Sequence, residues 1–197
     1  MAEPLGELTL GTFLERLASN APTPGGGGAA AVSAAMAAAL AAMTARLSSR
    51  QLADAASIAA AMDERSKELV ALADRDAAAY REVVAAIRGT GERGDAAKAW
   101  QSATEIPAAI AGHAAVIGEA AERLIRQGNP HLAGDAYASV QLAHAAARAA
   151  AELVSINVSE GLLGSELADR AHEAERRAEE AADSADRFHA AGGSTGE

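Results

Sequence analysis

Cysteine is absent from this 197-residue chain, which excludes disulfides and thiolate metal sites and suits a reducing compartment. Aromatic residues make up only 3% of it, as Phe13, Tyr80, Trp100, Tyr137 and Phe188, so no bulky ring-filled core is available. Basic residues are outnumbered, 17 against 27 acidic ones, for a net charge of −10. No basic stripe interleaved with aromatics occurs, which argues against a nucleic-acid partner. A small anionic ligand needs only a local arrangement and stays possible. Strand signals are missing too, since no alternating or Val/Ile/Thr-rich run is present. The acidic start MAEPLGELTLG has no compact apolar segment, so no signal peptide is visible and a cytoplasmic location is expected. One uncharged span, Ala18 to Ala45, is long enough for a membrane helix. Two prolines and four glycines break it, however, and its apolar part is mostly alanine. It reads as a buried core helix, with no membrane partner.

What the chain has in quantity is alanine, within an apolar half. Each Ala–Ala contact buries little area, so stability must come from many close helix–helix approaches. Between the Gly/Pro punctuation everything reads helical. Helices are expected at about Leu10 to Ser19, Gly27 to Ser48, Leu52 to Ile87, Asp95 to Arg126, His131 to Glu160 and Ser165 to His189. Turns are expected at Gly89–Gly94 and at Gly128-Asn129-Pro130. Short connections favour antiparallel neighbours, hence an all-α, up-and-down bundle of long Ala-rich helices. Residues 1–190 form a single helical domain on this reading, and 191–197 a disordered tail. The last helix carries Leu167, Ala171, Ala174, Ala178, Ala182, Ala185 and Phe188 at spacings of three and four. This narrow seam suits the outside of a bundle or a second subunit.

Several residues stand out from that background. Pro22-Thr23-Pro24-Gly25-Gly26-Gly27-Gly28 runs straight into the Ala-rich helix. Such a loop delivers unpartnered backbone N–H groups to a helix start, where anions and polar ligands are attracted. A tight backbone crossing would explain it as well. Asp76 falls on the apolar stripe Ile58, Met62, Leu69, Leu72, Tyr80, Val83, Ile87, where a carboxylate is expensive unless paired or functional. Asp135 lies in the first turn of its helix, as a dipole cap or as a functional group. Ser139, Leu142, Ala146, Leu153 and Asn157 continue from it at helical spacing, and Asn157 is an amide in an apolar setting. Pro107, mid-helix, removes a hydrogen bond and exposes a carbonyl near Ala103, with Glu105 beside the opening. The five histidines form no Glu-x-x-His or zincin pattern, so no metal site is expected. His113 and His144 read as interior or interfacial polar residues.

In this order and at these separations the segments resemble the cyclodeaminase/methenyltetrahydrofolate cyclohydrolase family, which includes the C-terminal half of formiminotransferase-cyclodeaminase. The resemblance rests on Pro24-Gly25-Gly26-Gly27, Asp76-Ala77-Ala78-Ala79-Tyr80, Ala103-Thr104-Glu105-Ile106-Pro107, Gly128-Asn129-Pro130 with Asp135-Ala136, and Ile156-Asn157. It covers the chain from Phe13 to about Leu167. Two departures are Gly28 and Gly134, where the family often has serine. The resemblance implies a homodimer and a tetrahydrofolate substrate, with hydrolysis of 5,10-methenyltetrahydrofolate to 10-formyltetrahydrofolate as the expected reaction. Cyclodeamination of 5-formiminotetrahydrofolate and non-catalytic folate binding are the alternatives. Asp76 and Asp135 are the expected catalytic pair, one as general base and the other as electrostatic partner. Pro24, Gly25, Gly26, Gly27, Gly28, Tyr80, Glu105, Asn129 and Asn157 are expected to bind substrate. No cofactor is expected, because opening an amidinium requires only water and proton transfer.

Overall fold

The computed structural model describes residues 3–89 and 96–192. Most of the turn expected at 89–94 and the tail beyond Gly192 lie outside the described residues. Among those described, six α-helices and two short 3₁₀ turns are present and no strand. The helices are α1 (Leu10–Leu17), α2 (Gly26–Arg46), α3 (Ala55–Ile87), α4 (Ala96–Gln127), α5 (Ala133–Gly161) and α6 (Glu166–Ala190). Thr9 caps α1 by accepting from the Thr12 N–H at 3.1 Å. Helix α5 ends on Leu162 in the left-handed conformation, φ 51°. The neighbouring Gly161 is needed for a different reason: a Cβ there would sit 2.7 Å from Cβ of Trp100.

Side-chain contacts fix the topology. Gly27 lies against Asp76 while Arg46 pairs with Asp63, so α2 and α3 run antiparallel. Glu68–His113 and Asp54–Arg123 do the same for α3 and α4, and Ala103–Asn157 with Gly118–Ala143 for α4 and α5. Ser155–His172 and Tyr137–Asp186 set α6 against α5. The result is the expected up-and-down bundle, with α1 laid outside it.

Small residues let the helices approach closely. Helix α2 buries Ala30, Ala31, Ala34, Ala35, Ala37, Ala38, Ala41, Ala42 and Ala45, on more than one face. Among the described residues α2 alone has the length and apolarity to cross a membrane, and most of it is covered by α3, α4 and α5. Its backbone is also held by side chains: buried Ser139 Oγ donates to the Ala37 carbonyl at 2.8 Å, and half-buried Ser66 Oγ to that of Ala35 at 3.1 Å. The seam of α6 packs on α4 and α5 of its own chain, with Ala171, Ala174, Ala178, Ala182 and Ala185 buried. It therefore leaves no free Ala face for a second subunit. The stripe of α3 holds at Met62, Leu69, Leu72 and Val83, but Tyr80 and Ile87 are exposed. Leu14, next to buried Phe13 on α1, is exposed as well.

Candidate functional site

At one end of the bundle the N-terminus of α2, the second half of α3, the start of α4 and the end of α5 enclose a cavity of about 290 Å³. Pro22, Thr23 and Gly25–Gly27 form one wall, Asp76 and Tyr80 of α3 another, with Ala103 of α4 and Leu153, Ile156 and Asn157 of α5 closing it. The Thr23–Pro24 peptide bond is cis. Four residues separate Asp76 from Tyr80, so both point from one face of α3.

Asp76 is the chemical centre. Burial pushes its carboxyl up to about 6, against the opposing pull of the Gly28 backbone N–H. The carboxylate thus answers the unpartnered N–H groups at the start of α2 from a different helix, while Asp76 stays partly exposed at the cavity wall. Gly27 is what makes room for it. A Cβ on Gly27 would fall on the carboxylate, inside contact distance of Oδ1, Cγ and Oδ2. A Cβ on Gly26 would meet only the Leu153 methyls, at 3.6 and 3.7 Å. Asn157, on α5, donates from Nδ2 to the Ala103 carbonyl at 2.8 Å.

The expected site residues divide into two groups. Gly25, Gly26, Gly27, Asp76, Tyr80 and Asn157 meet around this cavity. Pro24 and Gly28 are buried beneath it, with Gly28 facing Pro24 and the Asp76 carboxylate rather than the open space. Glu105 does not join them: it is exposed on α4 and accepts from Gln101 Nε2 at 2.8 Å. Asn129 lies at the opposite end, where it stitches the α4–α5 turn to the end of α2. Its Nδ2 donates to the Leu47 carbonyl at 3.3 Å, its Oδ1 accepts from the His131 N–H at 3.1 Å, and its own N–H donates to Ser48 Oγ at 2.9 Å.

Asp135 is also at that far end, half-buried in the first turn of α5. Eighteen residues separate it from Leu153, about 27 Å along the helix. Within one chain, therefore, Asp76 and Asp135 form no pair, and a Cβ on Gly134, next to Asp135, would meet nothing within 4 Å. Leu153, Ile156 and Ala103 line the cavity without having been singled out as contacts. The signal for the first two was their placement four and one residues before Asn157. Among the described residues no three His, Cys, Asp or Glu side chains gather as a metal site. His113 is half-buried, and desolvation holds it below its ordinary value despite Glu68 at 3.6 Å.

A second, more open cleft of about 500 Å³ adjoins the first through Thr23. Arg16, Arg81, Asp74 and Glu3 line it. Arg16 pairs with Glu3 at 3.0 Å and Asp74 accepts from the Leu5 N–H at 2.8 Å, while Arg81 is anchored through Nε, on the Ala77 carbonyl at 2.9 Å.

Comparison with known proteins follows the same lines. A methenyltetrahydrofolate cyclohydrolase from Methylorubrum extorquens is 35% identical over 166 residues, covering 77% of this chain and 80% of that protein. The crystal structure of a formiminotetrahydrofolate cyclodeaminase from Thermotoga maritima superposes with a TM-score of 0.86 at 27% identity, over 93% of this chain and 96% of that one. The family model for formiminotransferase-cyclodeaminase matches residues 9–183, and the chain belongs to that family.

Proposed function

We propose that this chain opens 5,10-methenyltetrahydrofolate to 10-formyltetrahydrofolate, with the cavity at Asp76 as its active site. The observation that carries the reading is a desolvated carboxylate facing a cavity under a helix N-terminus. The likeness to a cyclohydrolase over most of the chain supports this choice of reaction. The methenyl carbon is the centre of a cationic amidinium. An ionised Asp76 attracts that charge, orients a water against the carbon and accepts the proton the water loses. The C–N5 bond then breaks as the proton of the added hydroxyl passes to N5, the formyl group stays on N10, and Asp76 returns its proton to solvent. The Gly25–Gly27 backbone and Asn157 hold the pterin, and Tyr80 covers the rim. The rest of the folate extends past Thr23 into the cleft, where Arg81 offers its terminal N–H groups to the glutamate carboxylates. A homodimer is part of the same proposal, and a single-chain mass by light scattering would remove it.

The base must be ionised, so kcat/KM should rise with pH through about 6 and level off above it. A second reading, cyclodeamination of 5-formiminotetrahydrofolate, is favoured by the likeness to the Thermotoga maritima protein. Offering the purified protein each substrate alone separates the two. Decay of methenyl absorbance above background supports hydrolysis. Ammonia release without that decay replaces it with deamination.

A further inference from the structure

Helix α4 has proline at position 107, buried and inside the helix, and proline has no N–H. The carbonyl of Ala103, four residues earlier, therefore lacks its helical donor. Ala103 is buried in the cavity wall, where an unpartnered carbonyl is costly. Asn157 Nδ2 takes the vacant place at 2.8 Å. A carbonyl only accepts, so this one contact decides which end of the carboxamide is which. One amide N–H is committed to α4, which fixes the orientation of the carboxamide and leaves Oδ1 as its free acceptor.

We infer that Pro107 is a positioning residue. By keeping the Ala103 carbonyl open, it locks the Asn157 amide with Oδ1 as a hydrogen-bond acceptor toward the ligand. The ionised Asp76 carboxylate likewise has only acceptors to offer. Of the polar side chains that line the cavity, Asp76 and Asn157 thus select a heterocycle edge that carries N–H donors and reject one that sets a carbonyl against Asn157 Oδ1. The inference rests on the folate reading for the identity of that heterocycle, whose amino and ring N–H groups make such an edge.

Pro107→Ala supplies the missing N–H, which closes on the Ala103 carbonyl and releases Asn157. Alanine is also the better residue inside a helix, so the variant should melt no lower than wild type. Titration with 5-formyltetrahydrofolate should nevertheless show binding weakened about tenfold. The same change made in an Asn157→Ala background should do almost nothing, because the loss passes through Asn157. A pterin whose 2-amino group is replaced by oxygen should bind wild type about tenfold more weakly than the pterin itself. This comparison needs no variant to fold. Binding unchanged in Pro107→Ala, an equal loss in the Asn157→Ala background, or equal affinity for the two heterocycles would overturn the inference while wild-type folate binding leaves the proposed function standing. Wild type that binds no reduced folate would overturn both.

Discussion

Asp76→Asn separates the stability cost of the site from its use. In the unfolded chain this carboxyl ionises at its ordinary value of 3.8, whereas in the folded protein it keeps its proton up to about 6. Between those two values the folded state binds more protons than the unfolded one, so stability falls as pH rises across the window. The contribution is fully present below pH 3.8 and gone above about 6. The gap corresponds to about 3 kcal/mol. Asparagine cannot ionise, and its Oδ1 still accepts from the Gly28 N–H, so the variant keeps the contact at α2 without the pH dependence. Urea denaturation of both proteins at steps from pH 4 to 8, extrapolated linearly, reads the difference. Relative to the variant, wild type should lose about 2.4 kcal/mol between pH 4 and 7 and almost nothing further above that. A difference that stays constant over the whole range would refute the burial argument.

Three further outcomes follow from the geometry. Gly27→Ala should push the Asp76 carboxylate out of place and lower kcat/KM on the order of 100-fold, with the helical circular dichroism of wild type retained. Full activity in that variant would show that the carboxylate needs no fixed position. Asn129→Ala should cost about 1–2 kcal/mol in denaturation by removing the two side-chain bonds at the α4–α5 turn, with no change in KM. A raised KM would return Asn129 to the site. Leu162→Gly should stabilise by about 1 kcal/mol, because the left-handed C-terminal position of α5 is held by a fully solvated leucine. Unchanged or lower stability would mean that the exposed side chain makes up for the strain.

The helices were legible because Gly and Pro mark their ends and alanine fills their interiors. All six lie within three residues of the expected limits at every described end. Asp76 was legible as a carboxylate out of place on an apolar stripe, and Asn157 as an amide among aliphatic residues. The carbonyl exposed by Pro107 could be placed from the chain alone, but its partner could not, because 54 residues separate Ala103 from Asn157. The residues that lie apart from the Asp76 cavity within one chain do so for one reason. Asp135, Asn129 and Glu105 sit beside site-like neighbours in sequence, yet helices of this length carry consecutive segments to opposite ends or faces of the bundle. Asp135 and Asn157 belong to one helix and one periodic row, and periodicity says nothing about which end of a row a cavity occupies. Tyr80 and Ile87 are exposed on either side of buried Val83, so the apolar period of α3 is wider there than the face its neighbours cover.

The central claim is that the Asp76 cavity turns over methenyltetrahydrofolate. Its most direct test follows the methenyl absorbance with wild type beside Asp76→Asn, in a buffer where spontaneous hydrolysis is slow. The account predicts acceleration by wild type and background decay with the variant. Full acceleration by Asp76→Asn, or none by wild type, would contradict it.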